Sequence, residues 1–349
     1  MSGSSTADAW VYTGPYPENL RLGKFALPTS NREAKNKIIV SVKACALNPV
    51  DIQLMNLPRK RRQDIGKEWG IGNDFSGHII KAEGFDEGEE VYGMSMSALS
   101  PIHTGTLATV AVLDAKSTIL TRKPKGWTHE EAASIPLVWL TAKKCIESVR
   151  PSIERSVGDK AGKLVVLGGS SSVGMYTIML AKEAGWQVLT TSSKRNKALL
   201  QEKLKVDNHV DYTAENTRQK VTAFKPNAII DCVGGIECIG IPGNSRYITI
   251  VGDKTGRDIM GGPFTYYDLR SPIFAIKQWV RWARGCLQLG ESYDIVHLDL
   301  HTEWLEEASH KLDVGSIHID SIYLFKEAQE AFKHMQRGRT QGKVIVRVQ

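Results

Sequence analysis

Cysteine is scarce: Cys45, Cys145, Cys232, Cys238 and Cys286 are odd in number and scattered over 349 residues. That excludes a small secreted disulfide scaffold. Long apolar runs are missing too. The longest candidate, around residues 164–180, is broken by Gly168, Gly169 and three serines, short of the about 18 apolar residues of a bilayer span. The first nine residues are Ser-rich and lack both the arginines of a mitochondrial presequence and the apolar core of a signal peptide, so the cytoplasm is the expected location. An excess of acid is also missing: 45 Lys+Arg face 38 Asp+Glu, a formal charge of +7. The one dense basic run, Arg59-Lys60-Arg61-Arg62, has no RNP, zinc-finger or helix-turn-helix pattern beside it. It reads as a solvated loop, and no nucleic-acid partner is expected.

What is present suits a globular chain of about two domains. Hydrophobic residues make up 42% and charged residues 24%, enough apolar surface to exclude bulk disorder. The first third is β-rich, with strand candidates at 37–46, 75–81, 90–94 and 106–113 between Gly and Pro turns, suggesting a compact barrel-like domain. Thr128 with Glu131 has capping-box spacing and starts a helix. Pro136 interrupts it, and a second helix is expected from near Trp139 towards Val149. From Gly162 the pattern becomes β-α-β: strand 163–167, helix 172–184 closed by Gly185, strand 187–191, helix 194–205, strand 208–211, then strands 228–233 and 246–251. Continuous apolar strands alternating with helices imply a parallel sheet covered on both faces. A helix at 326–337 and a strand at 343–348 close the chain.

The segment Gly168-Gly169-Ser170-Ser171-Ser172-Val173-Gly174 lies between a strand and a helix, where unpaired N–H groups and the helix dipole favour a phosphate. Against the G-x-G-x-x-G template, Ser171 stands in place of the middle glycine. An NAD site carries an acid at the end of the next strand, yet residues 186–201 contain none. Ser192, Ser193, Lys194, Arg195 and Lys197 stand there instead. Hydroxyls and cations suit a 2′-phosphate, which points to NADPH.

Further blocks carry a family resemblance. Residues 46–51 (ALNPVD), 72–77 (GNDFSG), 88–93 (GEEVYG), 130–142 and 338–348 resemble, in order and spacing, the zinc-independent quinone oxidoreductase and enoyl-reductase branch of the medium-chain dehydrogenase/reductase superfamily. Within that branch the chain resembles fungal-type members and the reticulon-interacting oxidoreductases. The resemblance covers nearly the whole chain. It implies a GroES-like β-barrel catalytic domain, 1–135 with 300–349, and a Rossmann doubly wound NADPH-binding domain, 136–299. Zinc relatives place Cys and His ligands in the first two blocks, where Asn48, Pro49 and Asn73 stand here, so no metal is expected. The resemblance puts Asn48 and Thr141 near the nicotinamide and Ser170, Ser171, Ser172, Val173 and Gly174 at the pyrophosphate. It puts Ser193, Lys197 and Tyr212, with Lys194 alongside, at the 2′-phosphate. Val233, Gly234, Val251 and Gly252 come at the ends of later strands, and Lys343 closes the cleft. A homodimer through an edge strand at 246–252 is a further expectation.

The implied reaction is hydride transfer from NADPH to a quinone or an α,β-unsaturated carbonyl. Asn48 is the candidate orienter and Tyr92 the candidate proton donor, with a core aromatic as the alternative for Tyr92. Asp51 and Asp74 read either as catalytic carboxylates or as loop ties. Trp69, Met94, Met96, Trp139, Phe264, Tyr266 and Tyr267 read as pocket wall or core. Trp279, Arg281, Trp282 and Arg284 read as a lid, a membrane-surface contact or packing. The rival functions are an enoyl-thioester reductase, with Arg59–Arg62 meeting the carrier, and a non-catalytic NADPH- or nucleic-acid-binding protein.

Overall fold

The computed structural model describes residues 6–30, 32–56, 66–96, 104–157, 161–252, 272–338 and 340–349. Arg59–Arg62, Phe264, Tyr266 and Tyr267 lie outside them. Two compact units emerge, one combining Met1–Leu137 with Leu300–Gln349 and the other running over the described residues between 138 and 299.

The first unit begins with β1 (Thr6–Tyr12), β2 (Leu20–Ala26), β3 (Lys37–Leu47), α1 (Pro49–Asn56), β4 (Trp69–Gly70), β5 (Asp74–Lys81), β6 (Glu90–Ser95), β7 (Val110–Asp114), β8 (Thr118–Arg122) and α2 (His129–Ala133). The β-branched run of β3 is central. It pairs with β5 along one edge and with β7 and the final strand of the chain along the other. A core of Val40, Val42, Cys45, Leu47, Phe75, Ile79 and Val91 fills the space beneath. Thr128 caps α2 as the spacing predicts: its hydroxyl accepts from Glu131 N–H, and Glu131 accepts from Thr128 N–H. The strand expected at 106–113 starts only at Val110. Upstream, Thr106 and Leu107 donate to Gly72 and Ile71, outside any ladder.

The second unit contains most of α3 (Pro136–Val157), then β9 (Lys163–Leu167), α4 (Ser172–Glu183), β10 (Gln187–Ser192), β11 (Asn208–Asp211), α5 (Thr217–Phe224), β12 (Ala228–Asp231), β13 (Arg246–Thr249), α6 (Pro272–Cys286) and β14 (Ser292–Ile295). Pro136 starts α3 rather than ending α2, a position where its missing N–H costs nothing. All strands are parallel, in the order β11-β10-β9-β12-β13-β14. This is the doubly wound 3-2-1-4-5-6 order. The helix expected at 194–205 forms as one helical stretch that opens with a 3₁₀ turn (Lys194–Asn196) and widens to π geometry (Leu199–Lys203), with Lys205 at φ +55° closing it. The expected edge strand at 246–252 is also corrected: β13 is flanked by β12 and β14, so its backbone groups are already paired, and β14 is the edge. On α6, Gln278 is buried and Arg281 stacks on Tyr293, whereas Trp279 and Trp282 are exposed.

The tail returns to the first unit through α7 (Thr302–Lys311), β15 (Ile319–Leu324), α8 (Ala328–Gln336) and β16 (Lys343–Arg347). Val344 pairs with Leu47 and Arg347 with Ala44, so the last strand completes the sheet begun by the third. Among the described residues, no helix is long and apolar enough to cross a membrane.

Candidate active site

In the second unit β9 hands the chain to Gly168, whose φ of +81° needs glycine. A Cβ on Gly174 would lie 2.4 Å from Gly168 O and 2.9 Å from Gly169 Cα. Glycine there lets α4 start directly over the strand end. Ser171, not a glycine, takes the middle position because it is the N-cap of α4. Its hydroxyl accepts from Gly174 N–H at 3.1 Å and donates to Gly168 O at 2.8 Å. Ser170, Ser171 and Ser172 are half-buried, and Val173 packs inward. The turn therefore presents hydroxyls and unpaired helix N–H groups at a strand's carboxyl end, the donor set a pyrophosphate needs.

The next two strand ends lie beside it. Ser192 pairs with Asp211 in register, and Tyr212 N–H donates to Ser192 O. Ser193, exposed Lys194 and Lys197, and half-exposed Tyr212 thus share one sheet edge. Sequence reasoning missed His209, whose Nε2 lies 2.8 Å from Ser192 Oγ. Burial first, then Lys197, pushes its pKa below the ordinary value, opposed by Asp211 and Glu215. A spacing signal for it does not exist; only the parallel register brings it there.

Asp231, at the end of β12, was missed as well. One carboxylate oxygen accepts from Val233 and Gly234 N–H at 2.9 Å each, and the other from Thr249 Oγ1 at 3.1 Å. Thr249 in turn accepts from Val251 and Gly252 N–H. The network fixes the turns that carry Val233 and Val251, both half-buried at the carboxyl edge. Burial pushes Asp231 up to about 6. Thr141, on α3, is buried in this unit.

In the first unit a buried polar cluster surrounds Asn48. Its backbone N–H donates to Asp51 at 2.7 Å, and its side-chain amide donates to Asp74 at 2.9 Å and to Ala46 O at 3.3 Å. Its Oδ1 accepts from the Lys343 ammonium, which also lies 3.1 Å from Asp74. Asp74 further accepts from Leu137 N–H, and Asp51 from the Asn73 amide. The two carboxylates are loop ties. Burial pushes Asp51 up to about 7 and raises Asp74, which Lys343 opposes.

Tyr92 does not join this cluster. It is fully buried, and its hydroxyl donates to Leu305 O at 2.6 Å. Its proton is committed and burial raises its pKa, so it behaves as a core aromatic. Met94 and Trp139 are core as well, Trp139 lying against Tyr176.

In the first two sequence blocks Asn48, Pro49 and Asn73 stand where zinc relatives place ligands. Cys45 is buried against Thr106 Oγ1 at 3.4 Å with its thiol pKa raised by burial, and the cation beside Asp74 is Lys343. Among the described residues, the one group of three ligand-bearing side chains whose donor atoms converge is elsewhere, at His78, Glu90 and His129.

A family model described as zinc-binding dehydrogenase matches residues 204–346. The chain is 28% identical over 346 residues to the mitochondrial NAD(P)H oxidoreductase RTN4IP1 of Mus musculus, covering 90% of this chain and 82% of that protein. It is 25% identical over 365 residues to the trans-enoyl reductase pgmF of Aspergillus terreus, covering 99% and 97%. The solved quinone oxidoreductase of Coxiella burnetii superposes with a TM-score of 0.76 at 23% identity, covering 99% of this chain and 100% of that one. Such neighbours pair a GroES-like domain with a Rossmann domain, the two architectures found here. Over nearly its whole length the chain is thus similar to quinone oxidoreductases and enoyl reductases of the medium-chain dehydrogenase/reductase type, in line with the resemblance carried by its sequence blocks.

Proposed function

We propose that this chain is an NADPH-dependent reductase that passes a hydride to a quinone or an α,β-unsaturated carbonyl without zinc. The observation that carries the reading is the carboxyl edge of β10 and β11. There Ser193, Lys194, Lys197 and Tyr212 offer hydroxyls and positive charge where an NAD enzyme holds an acid to the ribose hydroxyl. Bound NADPH would supply the hydride. Ser170–Gly174 would hold its pyrophosphate, Val233 and Val251 would flank it from the neighbouring strand ends, and Asn48, Thr141 and Lys343 would serve the nicotinamide side. With Tyr92 committed to Leu305, solvent delivers the proton, and Asn48 is the orienting amide, itself held by Lys343 and Asp74.

Binding isotherms test the cofactor. Ser193→Ala/Lys197→Ala is expected to weaken NADPH about tenfold or more while leaving NADH nearly unchanged; equal affinity of the unmodified chain for both cofactors refutes the assignment. The similarity to a trans-enoyl reductase favours enoyl thioesters as the second substrate class. The cytoplasm is the proposed compartment. RTN4IP1, the similar protein, is mitochondrial, so fractionation of the full-length protein decides.

A further inference from the structure

We propose that His78, Glu90 and His129 form a site for a divalent first-row d-block ion, zinc by preference, on the first unit. The set shares no residue with the Asn48 and Asn73 positions at which zinc relatives place ligands. Its starting point is one hydrogen atom. The buried Ser76 hydroxyl donates to Val91 O at 2.8 Å, and His129 Nδ1 lies 2.8 Å from the same serine oxygen. A hydroxyl has a single hydrogen, and a carbonyl can only accept. Nδ1 is therefore the donor to Ser76, and the neutral ring carries its lone pair at Nε2.

That nitrogen faces Glu90 Oε1 at 3.3 Å. A lone pair set against a carboxylate oxygen at this distance is repulsive unless a cation lies between them. A metal ion held by that lone pair and by Glu90 Oε1 is such a cation.

His78 brings a second imidazole. Its Nε2 lies 3.7 Å from the same Glu90 oxygen, with its ring edge-on to His129 at 5.1 Å. The three donor atoms all lie within 4.8 Å of one another. Metal–ligand bonds of about 2.0–2.1 Å at tetrahedral angles put donor atoms roughly 3.3–3.4 Å apart. The His129–Glu90 pair already meets this, and half-exposed His78 needs only a small rotation. Lys123 holds the other carboxylate oxygen at 3.3 Å and is itself anchored on Trp127 O and Pro124 O. Glu90 would therefore bind through one oxygen, with water completing the shell. Two imidazoles and one carboxylate suit zinc, cobalt, nickel or copper rather than calcium or magnesium. Ser76 orients His129 as outer-shell partners of metal-binding histidines do.

The test uses the untagged chain, stripped with chelator and titrated with Co²⁺ by visible absorption and with Zn²⁺ by calorimetry. One ion per chain is expected, with ligand-field bands and no thiolate charge-transfer band. His78→Asn and Glu90→Gln, both at surface-reaching positions, should each weaken binding about tenfold or more, whereas Cys286→Ser should not. Zinc should raise the melting temperature of the unmodified chain and not that of His78→Asn. Absence of saturable Co²⁺ binding at about millimolar metal overturns the proposal, as does binding that persists unchanged in both variants.

Discussion

Replacing Lys343 by methionine removes one half of a buried ion pair and leaves the other half where it is. The Lys343 side chain is 5% exposed and that of Asp74 is 0% exposed, so water cannot replace the lost ammonium. Stranding one partner of a buried pair costs about 3–5 kcal/mol. Asp74 keeps the Asn48 amide and Leu137 N–H, which favours the lower part of that range, while Asn48 Oδ1 loses its ammonium donor. For a unit of this size each kcal/mol moves the melting temperature by roughly 2–4 °C, so a drop of roughly 6–20 °C is expected. The pH dependence follows from the sign of the Asp74 shift. Burial already raises its pKa and Lys343 opposes the rise. Without Lys343 the carboxyl pKa rises further, so protonation relieves the variant at low pH. Its deficit against the unmodified chain should therefore grow as pH rises from about 5.5 to 8, by at most about 1.4 kcal/mol per pH unit. Adding Asp74→Asn to Lys343→Met should recover part of the loss. The assay is a double-mutant cycle by thermal melting at both pH values. A neutral Lys343→Met, or losses that simply add, refutes the claim that these residues act as a pair.

Gly174→Ala should cost about 1–3 kcal/mol and weaken NADPH binding more than it lowers the melting temperature, because the added methyl meets backbone at 2.4 Å; unchanged binding in calorimetry contradicts the turn's assigned role. Asp231 is shifted from 3.8 to about 6, so the stability it contributes is full below about pH 4 and is lost as pH rises through about 6. Relative to Asp231→Asn, the native chain should therefore lose stability between about pH 4 and 7, and parallel melting curves across that window would exclude the shift. Thr128→Ala should destabilise the first unit by about 1 kcal/mol through loss of the α2 cap, measured by urea denaturation.

Legibility from sequence followed burial and chain distance. β9 was readable to the residue because a buried parallel strand is a short apolar run between turns. The capping box was readable because its two partners are three residues apart. β2 and β15 were not, since their half-exposed faces mix charge with apolar residues. The turn proposed to hold the pyrophosphate was legible as a strand–serine–helix string, though Ser171 as a cap emerged only from its bonds to Gly168 and Gly174. The cluster around Asn48 was not legible as a network: Lys343 lies 295 residues from Asn48 and 269 from Asp74 in the chain. Tyr92 misled because a tyrosine within a strand looks the same whether its hydroxyl faces a cleft or, as here, Leu305 O.

Hydride transfer from NADPH to an activated carbon–carbon or quinone system is tested by NADPH oxidation by the purified full chain against a panel of quinones, enones and enoyl thioesters, with 4-deuterated NADPH used on every active substrate. Turnover on a quinone or an enone is expected, with deuterium delivered to the β-carbon of the enone. Tight NADPH binding with no oxidation across the whole panel would contradict it.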